Sequence, residues 1–260
     1  MRLGLLLILL LAHVGASADA TLVNPALVLT PLPAPMSETR RLQAFEVAPV
    51  RQRAGPGIAF GSPVGFGMSW GGVSLGAGLQ EAPNDPDARF YGSSGIATGI
   101  GSPRLVAMEV SVGVSHLYEL ADSGSASVKL HHTFGSLTGV AVGAERVARW
   151  GLAATANPAA YAAVTQLVPL GQRVVLSLNA GARQVLDDIR QVRAFGGVAI
   201  LLDSRISLIA DHTGRDLNAG VSVVPFDRFP LSLTVGMTNV LEQDGFSRAL
   251  VGSTGLGLKF

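Results

Sequence analysis

The sequence predicts an all-β protein: an antiparallel up-and-down barrel that spans a membrane, with about 12 strands (roughly 10–14). Three observations predict it. Apolar and small polar residues alternate in many short segments, the connections alternate in length, and aromatic residues cluster near strand ends. Alternation with a period of two gives a strand two different faces. Glycine is abundant, with 32 residues against 19 lysines and arginines, which disfavours long helices because glycine weakens helix interiors.

Residues 1–20 are predicted to be a cleavable export signal. Arg2 supplies a positive charge, Leu3 to Val14 form an apolar core, and small residues around Ala18 suit a signal peptidase. A short membrane anchor is the alternative, but the apolar run is shorter than the roughly 20 residues that a spanning helix needs. We therefore exclude these residues from the fold.

Residues 21–56 are predicted to be a proline-rich, largely extended periplasmic leader, because its six prolines oppose both helices and central strands. The leader is either a flexible tail or an arm that plugs the barrel or contacts a partner. Residues 57–71 are predicted to form two short strands or a plug segment, since neither piece reaches the roughly 9–11 residues of a membrane-crossing strand.

Residues 72–260 are predicted to form the transmembrane barrel itself. The cleanest alternation runs from Val106 to Val114, where apolar residues share one parity and small or polar residues share the other. Three weaker segments, 90–100, 159–168 and 192–202, have no assignable faces. Together with these three, the predicted strands are 73–80, 106–115, 126–131, 140–145, 174–183, 206–211, 217–223, 231–238 and 250–260.

Alternation alone also fits a soluble sheet, so the polar face and the connections decide. The polar face is poor in charge and rich in glycine, serine and alanine, whereas a solvated sheet carries many lysines and glutamates. With the C-terminus placed in the periplasm, all the outer connections except the Thr213–Asp216 hairpin exceed their inner neighbours. Short periplasmic turns and longer outer loops are typical of membrane barrels.

Aromatic residues are predicted to form two girdles at the membrane interfaces. The inner girdle would contain Trp70, Phe134, Phe226, Phe229 and Phe260. The outer girdle would contain Phe90, Tyr91, Tyr118, Trp150, Tyr161, Phe195 and Phe246.

The final strand carries a specific pattern: Ser253, Gly255, Leu258 and a terminal Phe260. This pattern resembles the C-terminal signal strand of Gram-negative outer-membrane barrels. The resemblance implies delivery to the barrel-insertion machinery, location in the outer membrane and contact with its lipid.

Two further stretches carry a second resemblance. Residues 70–76 (WGGVSLG) and 208–220 (LIADHTGRDLNAG) resemble an uncharacterised group of cyanobacterial outer-membrane barrel proteins. The hairpin Ala-Asp-x-x-Gly-x-Asp-Leu-Asn is also similar, more remotely, to one in barrels linked to exopolysaccharide export. These resemblances imply a fold and a location, and carry no established activity.

The inward parity of the strands supplies the candidate site. We expect a pore for passive passage of small polar solutes or ions, in which opposed charges set the preference. The competing interpretation is that these charges pair across neighbouring strands and only stabilise the lumen. The predicted pore-lining residues are Glu109, Ser111, Lys129, His131, Glu145, Asn179, Arg183, Asp211, Asn218 and Thr234.

Other functional classes find little support. A net charge of +1 provides no basic surplus for nucleic acid, and the absence of cysteine excludes thiolate catalysis and cysteine-ligated metals. An enzyme, a metal site and a cofactor are not expected, because the adjacent pairs Asp211–His212 and His131–His132 point to opposite faces of a strand. Loop carboxylates at 85, 87, 187 and 188 are expected to be solvated rather than to bind Ca²⁺. The alternative function is a non-conducting structural or assembly barrel, or a partner in exopolysaccharide export, and homo-oligomerisation stays open.

Overall fold

The computed structural model describes residues 55–83, 89–114, 123–155, 157–186, 192–242 and 247–260. The predicted export signal and almost all of the predicted leader therefore lie outside the described residues. So do the carboxylates at 85, 87, 187 and 188 and two members of the predicted outer girdle, Tyr118 and Phe246.

Twelve antiparallel strands form one closed barrel, in which each strand pairs with the next and the first pairs with the last. This confirms the predicted fold class, and the three weak segments form β2, β6 and β8. The strands are β1 Gly72–Glu81, β2 Phe90–Ser102, β3 Val106–Val114, β4 Gly124–Phe134, β5 Thr138–Trp150, β6 Ala159–Pro169, β7 Val174–Val185, β8 Val192–Leu202, β9 Ile206–His212, β10 Leu217–Val223, β11 Leu231–Thr238 and β12 Ala249–Lys259.

The two rims of the barrel differ. One rim holds the short connections and the C-terminus, and we call it the turn end; the opposite rim, called the loop end, holds longer connections such as 82–89 and 115–123. A short 3-10 helix, Gly151–Thr155, follows β5 at the loop end. No helix among the described residues is long and apolar enough to cross a membrane.

The strand faces are inverted relative to a water-soluble sheet. Large apolar side chains of the outward parity are exposed, as at Leu208 and at Val235, which is 57% exposed. Small polar side chains of the inward parity, such as Ser207 and Ser222, are fully buried. The period-two pattern of the sequence therefore corresponds to an apolar outer surface and a polar interior.

Residues 55–71, which we call the inner segment, run through the interior of the barrel and leave it at the turn end, where Trp70 is exposed. Between residues 55 and 69 they contain no strand, and Trp70 makes a single bridge to Gly99. The segment starts near the turn end, where Gly57 hydrogen-bonds Ser207 and Ser222, and it returns there to enter β1. Its apolar side chains form the core with the inward faces of β6, β8 and β9: Ile58, Ala59, Phe60, Val64 and Phe66 pack with Leu167, Ala199, Leu201 and Ile209.

Aromatic residues lie near both rims, and Phe90 and Trp150 stand at the loop end. At the turn end, Trp70, Phe134, Phe226, Phe229 and Phe260 are all exposed, as predicted. At the loop end the prediction is wrong for two residues. Phe195 is only 5% exposed, and Tyr161 pairs with Gly143 and Arg183 on the inward faces of their strands. Both rings lie over glycines, Gly181 and Gly143 respectively, that leave room for them inside the barrel.

Candidate functional site in the barrel interior

All ten predicted pore-lining residues lie on strand faces that look into the barrel. Each has the same strand parity as buried interior residues, and the residue opposite it on the neighbouring strand also faces inward. The inner segment occupies the space in front of several of them. Passage through this interior stays a prediction, whereas the contacts with the inner segment are a feature of the structure. Buried among the ten are Lys129, His131, Asn179, Asp211, Asn218 and Thr234.

On β3 and β4, three ionisable side chains hold the second half of the inner segment. Glu109 and Lys129 face each other across the strand pair, and Lys129 Nζ lies 3.0 Å from Glu109 Oε1. The backbone N–H of Met68 donates to Glu109 Oε2 at 2.8 Å. Lys129 also donates to the carbonyl of Phe66 at 3.0 Å, and His131 Nε2 donates to the carbonyl of Met68 at 2.8 Å. The charges therefore pair with each other and with backbone groups that would otherwise be buried without partners.

On β9, a single carboxylate holds the apex of the inner segment. Asp211 Oδ2 accepts the backbone N–H groups of Phe60 at 2.9 Å, Gly61 at 2.9 Å and Ser62 at 3.0 Å. It also accepts the hydroxyl of Ser62 at 2.8 Å, while Asn218 Nδ2 donates to Oδ1 at 3.3 Å. Consecutive backbone amides that converge on one anion form a nest, a recurrent anion site in proteins. The ionised carboxylate only accepts hydrogen bonds, so its five donors suit a negative charge.

On β6 and β7, neutral polar side chains continue this line of contacts. Asn179 Nδ2 donates to the carbonyl of Pro63 at 2.8 Å. The Thr165 hydroxyl donates to Asn179 Oδ1 at 2.7 Å and accepts the N–H of Gly65 at 2.8 Å. The Ser62 N–H, the Pro63 carbonyl and the Gly65 N–H thus all have wall side chains as partners.

On β10 and β11, hydroxyl groups satisfy the start of the inner segment. The N–H of Gly57 donates to Ser222 Oγ at 2.9 Å, and the Thr234 hydroxyl donates to the same oxygen at 2.9 Å. Ser207 on β9 donates to the carbonyl of Gly57. Thr234 therefore acts on the inner segment through Ser222.

Glycines in the barrel wall leave room for the inner segment. A Cβ atom added at Gly99 would lie 2.4 Å from the backbone of Met68, and one at Gly139 would lie 2.7 Å from the Phe66 ring. A Cβ at Gly236 would lie 2.7 Å from the Phe60 ring. The wall and the inner segment are therefore complementary in shape as well as in hydrogen bonding.

A further ion pair lies towards the loop end. Arg183 Nη2 on β7 lies 2.7 Å from Glu145 Oε2 on β5, across the inward face of β6. Both side chains are mostly buried. This pair joins opposite charges above the apex of the inner segment, and it would face any solute that enters from the loop end.

No family model and no curated protein matches this chain. Among solved structures, it is similar to a KdgM porin in complex with disordered oligogalacturonate, with 12% identity and a TM-score of 0.48; the match covers 73% of this chain and 99% of that one. It is also similar to a second structure of KdgM porin, with 10% identity, a TM-score of 0.46 and the same coverage. The resemblance to the cyanobacterial group stays a prediction.

Sequence reasoning missed several residues that hold the inner segment. Thr165, Ser207 and Ser222 each contact it, as do the apolar side chains of Leu167 and Leu201. Ser207 and Ser222 carried the same signal as the residues that were chosen, since they are small polar residues of the inward parity. Thr165, Leu167 and Leu201 lie on β6 and β8, where apolar residues on both faces conceal the parity.

The adjacent pairs of the sequence diverge in the structure. Asp211 is buried in the interior and His212 is exposed. His131 faces inward, whereas His132 lies near the turn end, where its Nδ1 is 2.6 Å from the carbonyl oxygen of Leu105 and its ring packs against Phe134. Within the described ranges, no cluster of three or more histidine or acidic side chains is arranged to hold a metal ion.

Proposed function

We propose that this chain is an outer-membrane, porin-like barrel that lets small polar solutes or ions pass. The observation that carries the proposal is the inverted distribution of its residues. A closed barrel exposes apolar side chains on its outer surface and directs charged and hydroxyl side chains inward. Lipid suits the first surface, and water or a polar solute suits the second.

The location follows from the same surface and from the final strand. The exposed aromatic residues of the turn end suit one lipid interface. The backbone N–H of Phe260 donates to the carbonyl of Gly71, while the Phe260 side chain is 88% exposed. This leaves the terminal ring accessible to insertion machinery that reads Ser253, Gly255, Leu258 and Phe260. Export through residues 1–20 is part of the same proposal.

The inner segment determines how much can pass. It fills the interior next to β3, β4, β6 and β9 and satisfies the polar groups there. Conductance should therefore be low while the segment is in place and should rise when it leaves. Opposed charges at Glu109–Lys129 and Glu145–Arg183 would then set the ion preference.

A non-conducting structural or assembly barrel, or a partner in exopolysaccharide export, is the second candidate. The apolar core inside the barrel favours it. Phe60 and Val64 pack with Leu167, Leu201 and Ile209, and such side chains have no role in a permanently water-filled pore. In this case the inner segment would be a fixed part of the fold.

Single-channel recording of the refolded mature protein in a planar bilayer tests the proposal. A pore gives discrete current steps, and Glu145→Gln or Lys129→Gln changes their size or ion preference, because each removes a charge from the interior. The outward substitution Leu208→Ala is the matched control and should leave the steps unchanged. Silence in all variants, including Asp211→Ala, which removes the carboxylate that holds residues 60–62, would favour the structural role if gel mobility shows the heat-modifiable folded form.

A further inference from the structure

The contacts of the inner segment differ along its length. Its second half is held by β2, β3 and β4 and continues covalently into β1. At its apex, residues 60–62, three backbone amides and the Ser62 hydroxyl share Asp211 Oδ2, and Asn179 Nδ2 donates to Ser62 Oγ at 3.3 Å. Five residues of the segment pack apolar side chains on the wall. Glu109 and Lys129 hold its second half, whereas the three amides of the apex share one carboxylate oxygen.

We propose that the inner segment is a gate, and that residues 60–62 form an anion site in which Asp211 is the resident anion that latches the gate. The inference rests on the proposed passage of solutes, because a gate needs a path to close. The ligand class of the site is a small carboxylate. The wall supplies it in the closed state, and a free carboxylate of the size of formate fits it once the Asp211 carboxylate is removed.

The geometry at residues 60–62 is that of an anion-binding nest rather than of an ordinary contact between side chain and backbone. Three consecutive amides and one hydroxyl converge on a single oxygen, and Asp211 is 1% exposed. A buried carboxylate without these donors would be costly, and its four donors, of which only the Gly61 N–H is partly exposed, would lose their partner without the carboxylate. The latch and the apex therefore depend on each other.

The position of the two ends gives the direction of opening. Gly57 contacts Ser207 and Ser222 at the turn end, and Gly71 contacts Phe260 at the same rim. Withdrawal of the apex through the turn end keeps the Gly71 end, which continues into β1, where it is and releases Gly57 from Ser207 and Ser222. The gate thus opens towards the rim that carries the exposed aromatic girdle, which is the periplasmic rim in the proposed orientation.

Accessibility of a single cysteine tests the gate without relying on current. The chain has no cysteine, and Ala59 is a small, buried residue of the inner segment outside the nest. In full-length protein refolded into lipid, Ala59→Cys should react slowly with a water-soluble maleimide. Adding Asp211→Ala should raise this rate by about tenfold or more, because the charge-assisted hydrogen bonds of the latch are lost. Ser232→Ala is the matched control, since Ser232 is buried and polar but bonds the wall at Gly255, and it should leave the rate unchanged.

Rescue by formate separates an anion site from a merely structural residue. Sodium formate should return the labelling rate of the Asp211→Ala protein towards that of its parent, and sodium chloride at equal ionic strength should not. An unchanged rate in Asp211→Ala, or equal effects of the two salts, would overturn the latch. If Asp211→Ala does not fold, Asp211→Asn keeps the side-chain volume, and an unchanged labelling rate in that variant would overturn it equally.

Conductance of the same proteins separates failure of the gate from failure of the proposed function. Faster labelling with no current in any variant would show that the inner segment moves, but would reject the passage of solutes. Current steps that are equally frequent in the parent and in Asp211→Ala would reject the gate, but would still support the passage of solutes. Currents that become more frequent with Asp211→Ala, and rarer again with formate, would support both.

Discussion

The two sides of the barrel interior hold the inner segment by different means. On β3 and β4, ionisable side chains bind its backbone: Glu109, Lys129 and His131 contact the peptide groups of residues 66–68. On β6, β8 and β9, side chains such as Leu167 and Leu201 pack with its apolar residues. The first side resembles the lining of a pore and the second resembles the core of a soluble protein. The difference teaches that this lumen is built around a resident occupant.

The two sides also differ in what they would become without that occupant. The polar side would be hydrated readily, since its charges already pair in Glu109–Lys129. The apolar side would expose Leu167, Leu201 and Ile209 to water, which is unfavourable in proportion to the apolar area. An open state is therefore accessible but disfavoured, as a gate requires. Substitutions can weaken the contacts of one side at a time.

The largest effect is expected on the charged side. Lys129→Met removes one partner of a buried ion pair and leaves the Glu109 carboxylate without its cation, which costs about 3–5 kcal/mol of folding free energy. The double variant Glu109→Gln with Lys129→Met should recover much of this loss, because no uncompensated charge remains. Urea unfolding of the refolded barrel in lipid measures both. Equal losses in the single and double variants would show that the pair does not act as a unit.

A smaller effect is expected on the apolar side. Leu201→Ala removes buried methyl groups that pack with the inner segment and should cost about 2–4 kcal/mol of unfolding free energy. Leu208→Ala, on the outward face of β9, is the matched control because its side chain is exposed. The same urea titrations check the pair. A loss for Leu208→Ala as large as that for Leu201→Ala would contradict the assignment of the core to the interior.

The smallest effect is expected where the wall makes room for the segment. Gly139→Ala places a methyl group 2.7 Å from the Phe66 ring, and such overpacking costs about 1–3 kcal/mol. It should also raise the maleimide reactivity of Ala59→Cys, since the segment is pushed from its seat. Gly252→Ala meets nothing within 4 Å and should change neither stability nor labelling. A neutral Gly139→Ala would mean that the segment does not occupy this position.

The contrast between β3 and β8 explains how much of the fold could be predicted. In β3, apolar residues face outward and small or polar residues face the interior, so the alternation predicted the strand and both of its faces. In β8, Val198 and Ile200 face outward while Ala199 and Leu201 face the inner segment. Both parities are apolar, and the alternation disappears. The strand could be predicted, but not its faces, which is also why Phe195 was placed in a girdle.

The candidate site could be predicted only as a face. The inward position of Asp211 could be predicted, because the alternation of strand faces depends only on neighbouring residues in the sequence. The partners of Asp211 are backbone amides about 150 positions away, at Phe60, Gly61 and Ser62. Backbone groups carry no residue-specific signal, so nothing in the sequence marks residues 60–62 as the occupant of that site. The fit of the wall glycines to Met68 and Phe60 likewise follows from the path of the inner segment, which the alternation does not reveal.

A reversible disulfide tests the central claim most directly, namely that the inner segment controls passage through the barrel. An ideal Cβ at Gly57 lies 3.5 Å from Ser222 Cβ, which suits a disulfide. Gly57→Cys with Ser222→Cys should therefore fix the segment to the wall. Gly78→Cys with Ser253→Cys, 3.6 Å apart by the same measure, is the control that joins only wall residues. In recordings from the Asp211→Ala background, we expect the current steps to vanish when the first pair is oxidised and to return on reduction. The control pair should have no effect. Steps that persist unchanged with the first pair fully oxidised would contradict it.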